Sequence, residues 1–371
     1  MPPTMSSSSP LLTWDTSTGY DFFISLHVLH QPNEFALRGA WAKGVRTRLP
    51  AKARTFLEET SGFLLSAVPW VHSLPDPRDG GTLLDAYTEI PPANRLAAIM
   101  QSAEIPAETV AIFAEIQDRA SWLPAERDAI LNTYHEGKRN DAKAEIEKML
   151  DLWAHSTEFG ERSLEAFLTY HQVFFAEEES RIRPPLQQAA ARGHEMAATL
   201  DYLDLLAELS EGIRFDEKFR ETREMVMVPS FWISPRIFMT QTLDGRGLFI
   251  HGGRPSDTSI VPGETVPDAL YLALKALADP TRLRILHYLE EQPQTPTELA
   301  AVLRLRAPTV IHHLNTLRLA GLVYVTYGHG DKRYAARTTR VSEMYLQLRR
   351  YLGSPDPERR GDLSGRPPYM A

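Results

Sequence analysis

The sequence predicts a mostly α-helical protein with small β elements: an N-terminal helical bundle with a short β-sheet, then a C-terminal helix-turn-helix with a β-hairpin. Three observations predict this class. Residues 19–212 carry apolar side chains at helical spacing between proline and glycine breaks, and residues 225–251 hold short branched and aromatic runs separated by turn residues. Residues 268–352 then have the pattern of several capped helices followed by a hairpin.

We divide the chain into five segments. They are a flexible leader (1–18), a helical domain (19–251), a linker (252–267), a C-terminal domain (268–352) and a flexible tail (353–371). The leader begins MPPTMSSSSP and lacks the cationic start and apolar core of a secretion signal. No stretch approaches the roughly 20 apolar residues that span a bilayer. We therefore expect a cytoplasmic protein with no membrane partner.

The helical domain is rich in Ala, Leu and Glu and is punctuated by prolines. These breaks fall at Pro50, Pro69, Pro91, Pro92, Pro106, Pro124, Pro184 and Pro185. Toward its end, three short strands are predicted at Met225–Val228, Arg236–Thr240 and Gly247–His251. We expect these strands to form a small sheet that connects the bundle to the C-terminal domain.

The C-terminal domain has clear helix-start signals. Asp279 precedes a proline, which favours a capped helix start, and the following helix is predicted to bury Leu283, Leu286 and Leu289. A second capping signal, Thr295-Pro-Thr-Glu298, opens a short helix that turns Leu299 and Leu303 inward.

A third helix follows a turn at residues 304–306. It is predicted to bury Val310, Leu314 and Leu317, which leaves Thr309, Ile311, His312 and Asn315 on the outer face. The alternating run Val323–Tyr327 and the returning run Lys332–Arg337 then predict a two-stranded wing. This order of elements is typical of a winged helix-turn-helix.

The segments LALKALADPTRLRIL, TPTELAAVL and PTVIHHLNTLRLAGLV resemble the ArsR family of bacterial regulators over residues 270–352. The resemblance implies a homodimeric transcriptional repressor that binds an inverted repeat of double-stranded DNA and releases it on a signal. Many family members have serine where Arg306 and Ile311 stand. The residues assigned to DNA contact are Arg304, Arg306, Thr309, Ile311, His312, His313, Asn315, Arg318, His329, Lys332 and Arg333.

Charge is divided unevenly along the chain. Residues 267–352 hold 12 Lys and Arg against 7 Asp and Glu, a net of +5, whereas residues 1–266 carry 25 against 38, a net of −13. Only the C-terminal domain is therefore suited to phosphate, and its basic residues are expected to position it on the DNA backbone.

We expect no metal and no cofactor. The chain has no cysteine, and positions 300 and 302, where some ArsR members carry metal-binding thiols, are Ala and Val. The last helix lacks the histidines used by other members. Its apolar stripe is assigned to dimer packing and comprises Val341, Tyr345, Leu348 and Leu352.

The N-terminal region resembles, through FFISLHVLH and VPSFWISPRIF, an uncharacterised extension found on some ArsR-type regulators, which implies no activity. Its histidine pair His27 and His30, the dipeptide His194-Glu195 and the acidic run 177–179 match no catalytic motif. We predict that residues 19–251 form a non-enzymatic domain that senses a small-molecule effector or partner and also contributes to dimerisation. The alternative is an enzyme with an unrecognised active site in the bundle, in which the winged helix serves regulation or assembly.

Overall fold

The computed structural model describes residues 10–35, 37, 39–133, 139–261, 266–327 and 332–353. The chain divides into two compact units: unit 1 contains residues 1–205 and 217–254, and unit 2 contains residues 206–216 and 255–371. The predicted fold class, mostly helical with small sheets, is confirmed. Within the described part of the chain, no helix is both long enough and apolar enough to cross a membrane.

Unit 1 is built mainly from helices. They are α1 (Gly19–His30), α2 (Gly39–Arg48), α3 (Ala51–Thr60), α4 (Val68–Ser73), α5 (Gly80–Glu89), α6 (Pro92–Ile99), α7 (Ala107–Arg119), α8 (Pro124–Leu131), α9 (Arg139–Ala154), α10 (Ser156–Tyr170) and α11 (Ala176–Ala197). The next helix, α12 (Tyr202–Leu209), begins in unit 1 and ends in unit 2. Short 3-10 helices lie at Pro32–Phe35, Ser61–Ala67 and Glu217–Glu221, and a π-helical turn at His171–Phe175 joins α10 to α11.

Helix α1 forms the centre of unit 1. Ten of its twelve residues are buried, because apolar side chains occur on every side of the helix. Phe22 and Phe23 are fully buried and pack edge to face on Phe167, with ring centroids 5.9 and 5.4 Å apart. These aromatic contacts hold α1 against α10.

The strands form two sheets. They are β1 (Leu11–Trp14), β2 (Ile213–Phe215), β3 (Glu224–Ser230), β4 (Phe238–Gln241), β5 (Gly247–Gly252), β6 (Val323–Tyr327) and β7 (Arg333–Ala336). The sheet of unit 1 has the order β1-β3-β5-β4, in which the first three strands are parallel and β4 is antiparallel to β5. The three strands predicted between residues 225 and 251 are therefore present.

Two features of unit 1 differ from the sequence-based expectations. Residues 11–14, placed in the flexible leader, form β1 beside β3, and Trp14 packs so closely on Gly193 of α11 that a Cβ there would lie 2.2 Å from its ring. Pro184 and Pro185, interpreted as a helix break, lie inside α11. That helix continues because Ile182, Leu186 and Ala189 are buried at helical spacing on either side of them.

Unit 2 has the winged helix-turn-helix architecture. Its helices are α13 (Asp268–Leu277), α14 (Pro280–Glu291), α15 (Pro296–Leu303), α16 (Ala307–Leu319) and α17 (Thr338–Tyr351). Strands β6 and β7 form the predicted wing, with Val323 opposite Ala336. A bridge between Gln294 and Tyr334 joins the wing to the chain just before α15, with N to O distances of 2.9 and 2.8 Å.

One segment of unit 2 comes from earlier in the chain than expected. Strand β2 pairs in parallel with β6, with Ile213 opposite Val325, so the wing sheet has three strands in the order β2-β6-β7. Gly212 precedes it with φ +116°, and a Cβ there would lie 3.0 Å from the Val323 carbonyl oxygen. Residues 206–216 were expected in the helical domain, because a three-residue strand is too short to show an alternating pattern.

The inner face of α14 also differs from the expected stripe. Ile285 and Leu289 are buried and Leu286 is half-buried, whereas Leu283 is 50% exposed. Ile285 and Leu289 are four residues apart and face the core formed by α15 and α16, so Ile285 takes the inner position that was assigned to Leu283.

Candidate nucleic-acid interface

The start of α15 is fixed by the predicted capping box. The Glu298 amide donates to Thr295 Oγ1 at 3.2 Å, and the Thr295 amide donates back to Glu298 Oε2 at 2.7 Å. Leu299 and Leu303 are buried on the inner face. The helix ends at Leu303, and the left-handed backbone of the next residue, Arg304 (φ 57°), turns the chain toward α16.

Helix α16 has one buried and one exposed face. Val310, Leu314 and Leu317 are fully buried in the core of unit 2. Four side chains on the other side are exposed, and we call them the recognition face: Thr309, Ile311, His312 and Asn315. Because the buried residues follow helical spacing, the opposite surface carries the imidazole of His312, the amide of Asn315, the hydroxyl of Thr309 and the branched hydrocarbon of Ile311.

Arginines lie at the turn that leads into α16. Arg306 occupies the N-cap position but makes no side-chain cap, since a guanidinium has no acceptor for the helix amides. Arg304 and Arg306 are both exposed. Two cations therefore stand beside the amino end of the helix, where the helix dipole also favours an anion.

His313 differs from the neighbouring His312. It is half-buried, and its Nδ1 is inaccessible and has no hydrogen-bond partner among the described residues. Burial lowers the pKa of His313, an effect that nearby Asp279 partly offsets. His313, which was assigned to DNA contact, is thus partly turned toward the body of the domain and is not one of the four exposed residues of the recognition face.

The remaining assigned cations lie at the end of α16 and on the wing. Arg318 is half-buried, and Lys332 is exposed beside β7. Arg333 is exposed but is engaged with Glu298 and with the Pro293 carbonyl oxygen. His329 lies outside the described residues.

The sequence around the recognition face carries no negative charge. From residue 299 to residue 330 the chain has three arginines and neither Asp nor Glu. The acidic residue nearest in sequence before it, Glu298, is paired with Arg333 at 3.1 Å. This charge pattern suits a polyanion.

Comparison with known proteins agrees with this geometry. Residues 279–325 match the family model described as bacterial regulatory protein, arsR family. The chain contains an ArsR-family helix-turn-helix domain. Over 74 residues it is 42% identical to the HTH-type transcriptional regulator CmtR of Mycobacterium bovis and to that of Mycobacterium tuberculosis. That alignment covers 20% of this chain and 63% of each relative, so the chain spans less than two thirds of their length. No solved structure matches the chain.

Unit 2 exposes an apolar face on its helices α13 and α17, which lie on either side of the residues that match the family model. Helices α13 and α17 pack on each other through Leu270, Ala273 and Met344, with Leu348 half-buried against them. The residues that remain exposed, which we call the apolar face, are Tyr271, Leu274, Val341, Tyr345 and Leu352. Three of the four residues assigned to dimer packing thus lie on the surface, and the fourth, Leu348, supports it from beneath.

Unit 1 contains buried polar groups that bind one another. The Tyr20 hydroxyl lies 2.7 Å from Asp15 Oδ2 and 2.7 Å from His72 Nδ1, and Arg78 donates to Asp15 at 2.9 Å. Burial alone would raise the pKa of Asp15, but His72, which lies 3.7 Å away, and hydrogen bonds from Ser17 and Tyr20 hold that pKa well below its usual range. The cluster ties β1, α1 and α4 together.

Unit 1 also contains an open groove and a buried histidine that are the features closest to a ligand site. An open groove of about 900 Å³ is lined by Lys218, Met225, Met239 and Arg246. His251 is fully buried on β5, its Nε2 has no hydrogen-bond partner among the described residues, and burial lowers its pKa to about 4. Across the described ranges, no three His, Asp or Glu side chains are grouped so that they could hold a metal ion.

Proposed function

We propose that this protein is a one-component transcription factor whose ArsR-family domain binds double-stranded DNA and represses transcription. The observation that carries the proposal is the recognition face of α16, which is exposed and has hydrogen-bonding groups at helical spacing. It lies within the acid-free stretch of residues 299–330, in which the exposed Arg304 and Arg306 precede α16. A helix presented in this way fits the major groove, with cations available for the flanking phosphates.

The apolar face supports a homodimer. Tyr345 is 55% exposed and Leu352 is 67% exposed, although both continue the stripe to which Leu348 belongs. Covering such a patch removes apolar area from water, which favours association. A two-fold dimer would present two copies of α16, and an inverted repeat is the DNA sequence that matches this symmetry.

We propose that the signal is not a metal ion. The chain has no cysteine, and α17 carries no histidine among its fourteen residues. The effector is then a small molecule or partner that acts on unit 1. In gel shifts, zinc, cadmium, arsenite or a chelator should leave the protein–DNA complex intact, and its release by micromolar metal would contradict the proposal.

Strand β2 is the segment we propose for coupling unit 1 to the wing. The chain leaves unit 1 after residue 205, adds β2 to the wing sheet and re-enters unit 1 at residue 217. Side chains hold the segment in place: Arg214 stacks 4.2 Å above the Tyr324 ring, and Arg337 lies 3.3 Å from Glu208. A ligand that moves this segment would change the position of the wing.

The alternative of an enzyme has no specific support among the described residues. His72 belongs to the buried cluster around Tyr20, and its two ring nitrogens already contact Tyr20 and Arg246 at 2.7 and 3.0 Å. The large groove is open and is lined by no histidine.

Salt dependence of DNA binding tests the proposal. Affinity of the full-length protein for a fluorescent duplex should fall with a log-log slope of about −0.9 for each phosphate neutralised. Removing both Arg304 and Arg306 by alanine substitution should lessen that slope, whereas Lys52→Ala, an exposed cation of unit 1, should not. Absence of binding, or an affinity independent of salt, would overturn the proposal.

A further inference from the structure

Ile311 is a branched hydrocarbon exposed on an otherwise polar face. Its side chain is 42% exposed, whereas the neighbouring Val310 and Leu314 are fully buried. It is the fifth residue of α16, in the half of the helix that approaches bases in helix-turn-helix proteins. Isolated apolar residues are common on protein surfaces, so exposure alone would mean little. Its position between His312 and the arginines of the turn is what calls for an explanation.

Asn315 stands one helical turn after Ile311. Residues four apart lie on the same side of a helix with Cβ atoms about 5 to 6 Å apart. Both side chains are exposed, and no acidic residue occurs in this stretch of the chain. Because successive base pairs are about 3.4 Å apart, two such side chains in a major groove reach bases one or two steps apart.

The chemistry of the two side chains points to particular bases. In the major groove, the apolar group on a base edge is the thymine C5-methyl, which aliphatic side chains contact. An asparagine amide matches adenine, because it can accept from N6 and donate to N7 at the same time.

We propose that Ile311 and Asn315 together select a half-site in which a thymine and an adenine lie one or two base pairs apart. Ile311 packs on the thymine methyl and Asn315 hydrogen-bonds to the adenine. This inference rests on the proposed DNA-binding function and names the base pairs that the recognition face prefers. Its alternative, contact of Ile311 with a protein partner, predicts no dependence on the thymine methyl.

The test removes single methyl groups from DNA. Full-length protein is first used to select bound sequences from a randomised duplex library, and each thymine of the enriched duplex is then replaced by deoxyuridine in turn. At one thymine in each half-site, this replacement should weaken binding about fourfold, because burying one methyl group contributes about 0.8 kcal/mol. An adenine should lie one or two base pairs from that position.

Variants assign the effect to the side chain. Ile311→Ala should bind thymine and deoxyuridine duplexes equally, and Asn315→Ala should lose the preference for the adenine. The matched control is Val302→Ala, since Val302 is 48% exposed on α15 and lies outside the recognition face. This control should keep the fourfold difference.

The outcomes separate the two proposals. Enrichment of no sequence, together with salt-independent or absent binding, would overturn the proposed function. Enrichment of a sequence whose thymines all tolerate deoxyuridine would overturn the present inference and leave the function standing. The inference would also be overturned by a methyl effect that persists unchanged in Ile311→Ala.

Discussion

The guanidinium of Arg333 on wing strand β7 lies 3.1 Å from the carboxylate of Glu298, which closes the capping box of α15. Arg333 also donates to the Pro293 carbonyl oxygen at 3.0 Å. Each side chain is 47% exposed, so the ion pair by itself contributes little to stability. The ion pair instead fixes geometry, because it joins the wing to α15, the helix that precedes α16.

This pairing gives a prediction about DNA affinity. Arg333→Ala should weaken binding to all sequences alike and reduce the salt slope by about one, because a phosphate contact would be lost. Glu298→Gln should strengthen binding to all sequences, since it keeps the cap and removes a negative charge beside Arg333. Anisotropy titrations at several salt concentrations measure both. A loss in Arg333→Ala without any change in slope would mean that Arg333 only holds the wing.

The capping box predicts a local loss of stability. Thr295→Ala removes the acceptor of the Glu298 amide and should destabilise α15 by about 1 kcal/mol. Thr297→Ala, an exposed threonine of the same helix, is the control. Hydrogen exchange of the α15 amides should become faster in the first variant and stay nearly unchanged in the second. Equal exchange in both variants would show that the cap is unimportant.

The apolar face predicts dimer dissociation. Tyr345→Asp places a charge among Tyr271, Val341 and Leu352 and should shift the protein from dimer to monomer in sedimentation velocity. Val110→Asp, which alters an apolar residue of unit 1 that is 52% exposed, should leave the dimer intact. A dimer that survives Tyr345→Asp would move the interface elsewhere.

Asp21 predicts a pH effect in unit 1. Burial raises its pKa to about 7, and hydrogen bonds from the Phe231 amide and Ser230 only partly offset this. The pKa of Asp21 in the folded protein exceeds the unfolded value of about 3.9. The contribution of protonated Asp21 to the unfolding free energy is therefore complete below about pH 4 and is lost as the pH rises through 7. The unfolding free energy of Asp21→Asn minus that of the wild type should therefore increase between pH 4 and pH 7.

The measurement can be confined to unit 1, because all six tryptophans lie between residues 14 and 232. Tryptophan fluorescence in urea gives the unfolding free energy at each pH.

His251 has the opposite effect on the pH dependence of the unfolding free energy. Its pKa is lowered to about 4, so its neutral form stabilises the fold above about pH 6.5. The difference between variant and wild type removes this contribution. A difference that is constant with pH would contradict the assignment to Asp21.

The sequence predicted the winged helix well because its signals are local. The Thr295 capping box, the buried spacing of Val310 and Leu314, and the alternating wing strand each depend on a few neighbouring residues. The exposed recognition face followed directly from that spacing.

Other features depend on contacts between distant segments and could not be predicted in this way. Strands β1 and β2 have four and three residues, too few for a pattern, and they form only because β3 and β6 supply partners. His313 and Arg333 were assigned to DNA from charge and position alone. The partial burial of His313 and the ion pair of Arg333 with Glu298 arise from tertiary packing that the sequence pattern does not contain.

Sequence discrimination by α16 tests the central claim most directly. The preference of full-length protein for its selected duplex over random duplex should be measured by competition for the wild type, His312→Ala, Asn315→Ala and Lys332→Ala. We expect His312→Ala and Asn315→Ala each to reduce the preference by about 1 to 3 kcal/mol, because a base contact is lost. Lys332→Ala should weaken both duplexes equally. The same uniform loss in all three variants would contradict the assignment of α16 as the element that distinguishes DNA sequences.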